Sequence, residues 1–218
     1  MLFKTKASKI FCLSFQRTGT TSVGQFFKDF GYKVAGYDSH RSSDWSVKRF
    51  LGDYESIFKS KDFKNHQVFE DNPWWETDFY KVLYHRFPDA KFILFTRDAD
   101  KWFDSMISHS KGKTLGNTFR HASIYNRKEE FYSTFSNKDY YKTIGSIDNL
   151  LDINETHRLH YKTLYNLRNK EVIDFFNAVS PGSLFTAQLE DTDKWKRLAA
   201  FFNIDLPVNY QVHVNKSK

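Results

Sequence analysis

An α/β fold, a doubly wound parallel sheet with helices on both faces, follows from three features of this chain. Short apolar runs alternate with segments of helical period. The first run passes through a Gly/Thr turn straight into a helix, and no stretch approaches a membrane span. Strands that alternate with helices in this way build a parallel sheet wound by right-handed crossovers. With 218 residues and 18% aromatics the chain can bury a full core, and the expectation is one domain over residues 1–218.

Ile10, Phe11, Cys12, Leu13 and Phe15 form the nearly continuous apolar run that a central parallel strand needs, since both its faces are covered. Val23, Phe26, Phe27 and Phe30 then recur at i, i+3, i+4 and i+7, which predicts an amphipathic helix over 20–30. Further strands are expected at 32–36, 66–70, 91–97 and 183–188. Helices are expected at 44–60, 76–87, 99–109, 154–179 and around Trp195. Residues 111–150 mix Gly, Ser, Asn, Lys and Tyr without a clear period and read as loops with short helices. Ligands of such sheets bind at the carboxyl ends of the strands, which puts Arg17, the Glu70–Asp71 pair and Arg97 on one edge.

The turn between the first strand and helix is an anion site in the making. Backbone N–H groups and the positive end of a helix dipole converge there, and the hydroxyls of Thr18, Thr20, Thr21 and Ser22 surround it. A Walker A loop reads G-x-x-x-x-G-K-[ST], with Lys on the terminal phosphates and the hydroxyl on magnesium. Laid on this chain it puts Ser14 at the first Gly, Gly19 at the second, Thr20 at the Lys and Thr21 at the Ser/Thr. The lysine is missing, and a cation stands three positions earlier as Arg17. Such a loop holds a phosphate or sulfonate but lacks the usual means of splitting a nucleoside triphosphate.

The run Gln16 to Ser22 resembles the 5′-phosphosulfate loop of the sulfotransferases that use 3′-phosphoadenosine 5′-phosphosulfate as donor, commonly P-K-S-G-T-T or P-R-T-G-T-T. Gln16 departs from the usual proline. Arg17 replaces the lysine of the cytosolic enzymes, as it does in several carbohydrate-type members. A second segment extends the resemblance: Arg97 at the end of an apolar strand, then Ser105 eight residues later on a helix with Trp102, Phe103 and Met106. In that family such a pair holds the donor's 3′-phosphate, and a guanidinium fork beside a hydroxyl suits phosphate oxygens. Near the end, Asp193 to Asp205 is similar to the family's late W-x-x-L-x-x-F-L helix, with Trp195, Leu198, Ala199 and Phe202 as its buried stripe. The resemblance covers 9–30, 66–109 and 183–215.

It implies sulfonyl transfer to a hydroxyl or amine of an acceptor, with no metal. Arg17 would meet the sulfonate and bridging oxygen, Thr18 to Ser22 would hold the 5′-phosphate, and Arg97 with Ser105 the 3′-phosphate. Asn215 and Lys216 would close over the phosphates, although a solvated tail is the plainer reading. Arg17 and the acidic pair lean toward a carbohydrate acceptor over a phenol. The reaction needs a base for the acceptor proton, and two carboxylates, Glu70 and Asp71, stand just past the third strand where the family places one. Strand alternation points them in opposite directions. Asp71, two residues before Pro73, matches a D-x-P pattern, whereas Glu70 resembles the base of heparan-type enzymes; spacing leaves both open, with Asp71 slightly ahead. The plain alternative is that they cap a helix starting near Glu76. Trp74 and Trp75 are candidates both for an acceptor pocket and for the core, and His66 and His85 read as surface or packing residues.

The chain carries 33 basic against 26 acidic residues, net +7, which suits a multiply charged anionic donor. It has no zinc spacing, RNP-like run or basic heptads, so no nucleic-acid partner is expected. One cysteine, Cys12, sits in the first strand as a small hydrophobe and cannot form an intrachain disulfide, which points to a reducing compartment. The first residues hold no signal-peptide run, so the expectation is a soluble cytoplasmic enzyme with no membrane partner. Two rival classes remain: a P-loop kinase of small molecules or nucleosides, and a non-catalytic nucleotide-binding relative.

Overall fold

The computed structural model describes residues 8–109, 119–134 and 151–212. In chain order the elements begin with β1 (Ile10–Cys12), α1 (Thr20–Asp29), β2 (Val34–Ala35), α2 (Tyr37–Ser42), α3 (Trp45–Phe50), α4 (Tyr54–Lys59) and α5 (Lys61–Asn65). Then come β3 (Val68–Phe69), α6 (Phe79–Arg86), β4 (Lys91–Thr96), α7 (Ala99–Ser108), α8 (Phe119–Ile124) and α9 (Lys128–Thr134). A 3₁₀ turn (Glu155–His157) leads into α10 (Arg158–Val179), and a second (Pro181–Ser183) leads into β5 (Leu184–Gln188), before α11 (Lys194–Phe201).

The described strands form one sheet in the order β2-β3-β1-β4-β5, and every pairing is parallel. Ile10 lies opposite Val68 on one side and Lys91 on the other, so β1 is hydrogen-bonded along both edges. The chain leaves β1 for β2 and β3 on one side, then crosses to β4 and β5 on the other. The order thus reverses at β1, where such sheets bind ligands.

Alternation along the strands divides the core. Ile10, Cys12, Val68, Ile93 and Phe95 face Val23, Phe26 and Phe27 of α1 and Trp195, Leu198 and Ala199 of α11. Phe11, Leu13, Phe69, Phe92 and Leu94 face the opposite layer, which includes Trp45, Phe79, Leu83, Val172 and Phe176. Helices therefore cover both faces, as the sequence predicts. A third cluster at the carboxyl edge joins Phe15 and Trp75 to Trp102, Phe103, Met106, Tyr161 and Tyr165. Trp74 and Trp75 are both fully buried, so the core reading holds for each. Among the described residues no helix is long and apolar enough to cross a membrane.

The helix expected over 44–60 is corrected to two. Gly52 adopts φ +78° just after α3, a left-handed stop that favours glycine. Asp53 then caps α4, its Oδ1 accepting the Ser56 N–H at 3.3 Å. The helix expected from Glu76 starts instead at Phe79, after a turn in which Thr77 has φ +41°. Neither Glu70 nor Asp71 is the N-cap of α6; that residue is Asp78. The expected loop region carries α8 and α9 in its described part; residues 110–118, 135–150 and the tail with Asn215 and Lys216 lie outside the described residues.

One hydroxyl extends the pairing of β1 with β4 beyond the strand's end. The Phe95 N–H donates to the buried Ser14 Oγ at 2.7 Å, so a side chain replaces the main-chain acceptor that β1 no longer supplies. Ser14→Ala leaves that N–H without a partner and should cost about 1–3 kcal/mol in urea unfolding.

Candidate active site

The turn after β1 is shaped by its backbone. Phe15 O accepts the Thr18 N–H at 3.3 Å and also the Thr18 hydroxyl, whose side chain is buried. That hydroxyl, expected among the anion donors, is turned back into the turn. Arg17 (φ +67°) and Gly19 (φ +85°) are both left-handed. Gly19 is the N-cap of α1 and, having no side chain, makes no side-chain capping bond, so the N-terminus of the helix faces the carboxyl edge of the sheet without a cap from that residue. A Cβ at Gly19 would lie 2.7 Å from Leu189 Cδ1, so both conformation and space call for glycine. Thr20 faces Glu70, Thr21 is exposed and Ser22 is buried.

The second predicted pair stands next to this turn. Asp98 caps α7 by accepting the Lys101 N–H at 3.0 Å, and Ser105 lies on the buried face of that helix. The Arg17 Nε donates to Ser105 Oγ at 3.1 Å, joining two segments 88 residues apart. Arg97 is close enough that its charge, after burial, pushes the Arg17 guanidinium down from its ordinary range. Glu190 approaches the Arg97 Nε at 3.4 Å, yet that buried nitrogen makes no hydrogen bond among the described residues. Two guanidinium groups thus sit beside an uncapped helix N-terminus, an arrangement that fits a ligand with two separated anionic groups.

β3 ends at Phe69, and the two carboxyls beyond it meet different neighbours. Glu70 turns toward α1, and only glycine makes room for it: Cβ atoms at Gly24 and Gly36 would fall 2.9 Å from its Cγ and 2.5 Å from its Oε1. Its Oε2 is buried without a hydrogen-bond partner among the described residues. Burial first, then the neighbouring Asp71, raise its pKa to about 8, so it is mostly protonated at neutral pH. Asp71 has left-handed backbone (φ +73°), precedes a cis Asn72–Pro73 bond and keeps partial exposure. Burial raises its carboxyl as well, against the Asn72 N–H and Arg120, which favour the charged form.

Beyond Asp71 lies a group that sequence reasoning missed. Glu76, wholly buried, stands 3.5 Å from Arg49 and 3.7 Å from Arg120. His40 meets Ser46 Oγ at 2.7 Å through Nε2 and is held neutral, near 4, by burial and then Arg120. His121 is likewise driven down to about 3 by burial and Arg120. Cys12 is a buried thiol pushed up to about 12 by desolvation, in keeping with a packing role. Among the described residues, no group of three or more His, Cys, Asp or Glu could hold a metal ion.

A family model for the sulfotransferase domain matches residues 9–218, nearly the whole chain. The chain belongs to the sulfotransferase family. No curated protein sequence matches it. In this sulfotransferase the residues read from sequence as donor contacts, Arg17, Gly19, Thr20, Arg97 and Ser105, converge at the carboxyl ends of β1 and β4. His66 and His85 stand apart from them, His66 donating from Nδ1 to the Asp62 carbonyl and His85 exposed in α6. Leu189 and Glu190, just past β5, reach Gly19 and Arg97, and Arg120 in α8 reaches Glu76; none of the three carries a local sequence signal. Gln16, the departure from proline, is fixed by side chains instead of a ring: its Nε2 donates to the Tyr125 hydroxyl at 2.6 Å and its carbonyl accepts Trp102 Nε1–H at 3.0 Å.

The Glu70 carboxyl makes stability depend on pH in a definite sense. Its pKa rises from 4.5 to about 8 on folding, so its neutral form stabilises the fold fully below pH 4.5, and that contribution is lost as pH rises through 8. Glu70→Gln should therefore melt about 3 °C or more above the wild type at pH 9 and match it at pH 4. A constant difference across pH in differential scanning calorimetry would contradict this.

Proposed function

We propose that the enzyme transfers a sulfonyl group from 3′-phosphoadenosine 5′-phosphosulfate to a hydroxyl or amine of an acceptor, with a carbohydrate the favoured acceptor class. The observation that carries the reading is the Arg17–Ser105 hydrogen bond of 3.1 Å beside Arg97. It brings an uncapped helix N-terminus and a strand-end arginine within one side chain's reach, which suits a nucleotide with phosphates at both 5′ and 3′ positions. Thr20 at the Walker lysine position, facing Glu70, speaks against triphosphate chemistry.

When bound, the donor supplies the electrophilic sulfur. Gly19 and the first turn of α1 hold its 5′ end, and Arg17 turns from Ser105 onto the sulfonate and bridging oxygen, where negative charge grows. Arg97 and Ser105 take the 3′-phosphate. Asp71 is the base: it keeps partial exposure, and its raised pKa strengthens its pull on the acceptor proton. Glu70, enclosed beside Thr20 and mostly neutral at pH 7, adds little repulsion to the anion at the helix end.

Calorimetric titration with adenosine 3′,5′-bisphosphate tests the donor site. The expected result is micromolar or tighter binding that weakens about 30-fold or more in Arg97→Ala. No binding, or a preference for ATP–magnesium, overturns the reading in favour of the kinase class. Transfer of labelled sulfonate to an acceptor panel tests the base. Asp71→Asn should lower kcat about 10²–10⁴-fold at unchanged bisphosphate affinity, whereas Glu70→Gln should retain turnover.

A further inference from the structure

Two side chains of α10, one turn apart, end on the backbone of separate site segments. The Tyr165 hydroxyl accepts the Arg97 N–H at 2.8 Å and donates to the Arg97 carbonyl at 3.2 Å, clasping that residue from both sides. Its ring stacks on Trp102 at 4.3 Å between centroids, and Trp102 in turn holds the Gln16 carbonyl. Three residues on, Arg168 donates from Nη1 to the Leu13 carbonyl at 2.6 Å and from Nη2 to the Trp75 carbonyl at 2.8 Å. Leu13 is where β1 gives way to the donor turn, and Trp75 lies four residues past Asp71.

Arg168 is buried and makes no ion pair among the described residues; its guanidinium lies 5.3 Å from the Phe15 ring centre and 5.7 Å from that of Tyr80. A buried cation without a counter-ion is costly, and apolar side chains of similar volume pack such sites as well or better. What a guanidinium offers that they do not is a rigid fork able to hold two carbonyls from different segments at once.

We propose that Tyr165 and Arg168 are positioning residues of the transfer reaction: from one rigid helix they hold the Arg97 main chain, the start of the donor turn and the segment after Asp71 in register. The inference rests on the donor reading given above. Residues at i and i+3 share a helix face, so any shift of α10 moves both clasps together. Loss of either clasp frees a different part of the site. The Tyr165 hydroxyl, which Tyr165→Phe removes while keeping the ring on Trp102, governs the 3′-phosphate side, whereas Arg168 governs the turn that takes the 5′ end.

Calorimetry with two probes, adenosine 3′,5′-bisphosphate and adenosine 5′-phosphate, separates these effects from loss of fold. Tyr165→Phe should weaken the bisphosphate about tenfold and leave the 5′-phosphate unchanged. Arg168→Lys, which keeps charge but loses the fork, should weaken both about tenfold and keep their ratio. Thermal midpoints and near-UV circular dichroism establish that each variant is folded, and Tyr165→Phe is decisive by itself if Arg168→Lys does not fold. Wild-type affinities in folded variants, or equal loss of both probes in Tyr165→Phe, would overturn the proposal while leaving the donor site intact. A wild-type protein that binds neither probe would overturn the donor reading and this proposal with it.

Discussion

β1 is hydrogen-bonded on both edges, to β3 through Ile10 and Phe11 and to β4 through Ile10 to Cys12. Because both pairings are parallel, three strands end side by side, and each end delivers a different polar group. β1 leads to Arg17 and the start of α1, β3 to Glu70 and Asp71, and β4 to Arg97. An antiparallel partner on either side would send one of these groups to the far end of the sheet. The site is thus a consequence of strand direction before it is a matter of side-chain chemistry.

The electrostatics of that edge follow from crowding charges into a place with little water. Burial first, then the charge of Arg97, weaken the hold of Arg17 on its proton, and Glu190 is a partial counterweight at 3.4 Å from Arg97. On the other side of the acidic pair, Arg49 and Arg120 flank the buried Glu76. Glu70, with no arginine against it, answers burial by keeping its proton instead. Adjacent carboxylates in the sequence therefore have different surroundings.

What could be read from the sequence was whatever is local. The apolar run Ile10 to Phe15, the helical spacing of Val23, Phe26, Phe27 and Phe30, and the eight-residue step from Arg97 to Ser105 each signal themselves within a few turns of chain. The alternation of strand and helix gave the sheet its sense, although not the early stop at Gly52 that divides α3 from α4. The features that escaped depend on distance along the chain. Arg120 meets Glu76 across 44 residues' separation in number, Arg168 reaches Leu13 across 155, and Leu189 closes on Gly19 only once β5 is in place. Thr18 shows the opposite: the motif marks its hydroxyl as an anion donor, whereas in the fold that hydroxyl donates to the Phe15 carbonyl of its own turn.

The enclosure of Glu70 ties three positions together. Gly24 on α1 and Gly36 after β2 are vacant at Cβ where the carboxyl and its stem lie, so the volume missing from two residues is filled by the third. A methyl at either glycine displaces Glu70, and a shorter residue at 70 leaves a void against both. Residues 24, 36 and 70 are distant in sequence, yet they form one steric unit. Across descendants of this chain they should be inherited as a set, with bulk at one traded for bulk at another, so that their joint variation records the shape of the pocket behind α1.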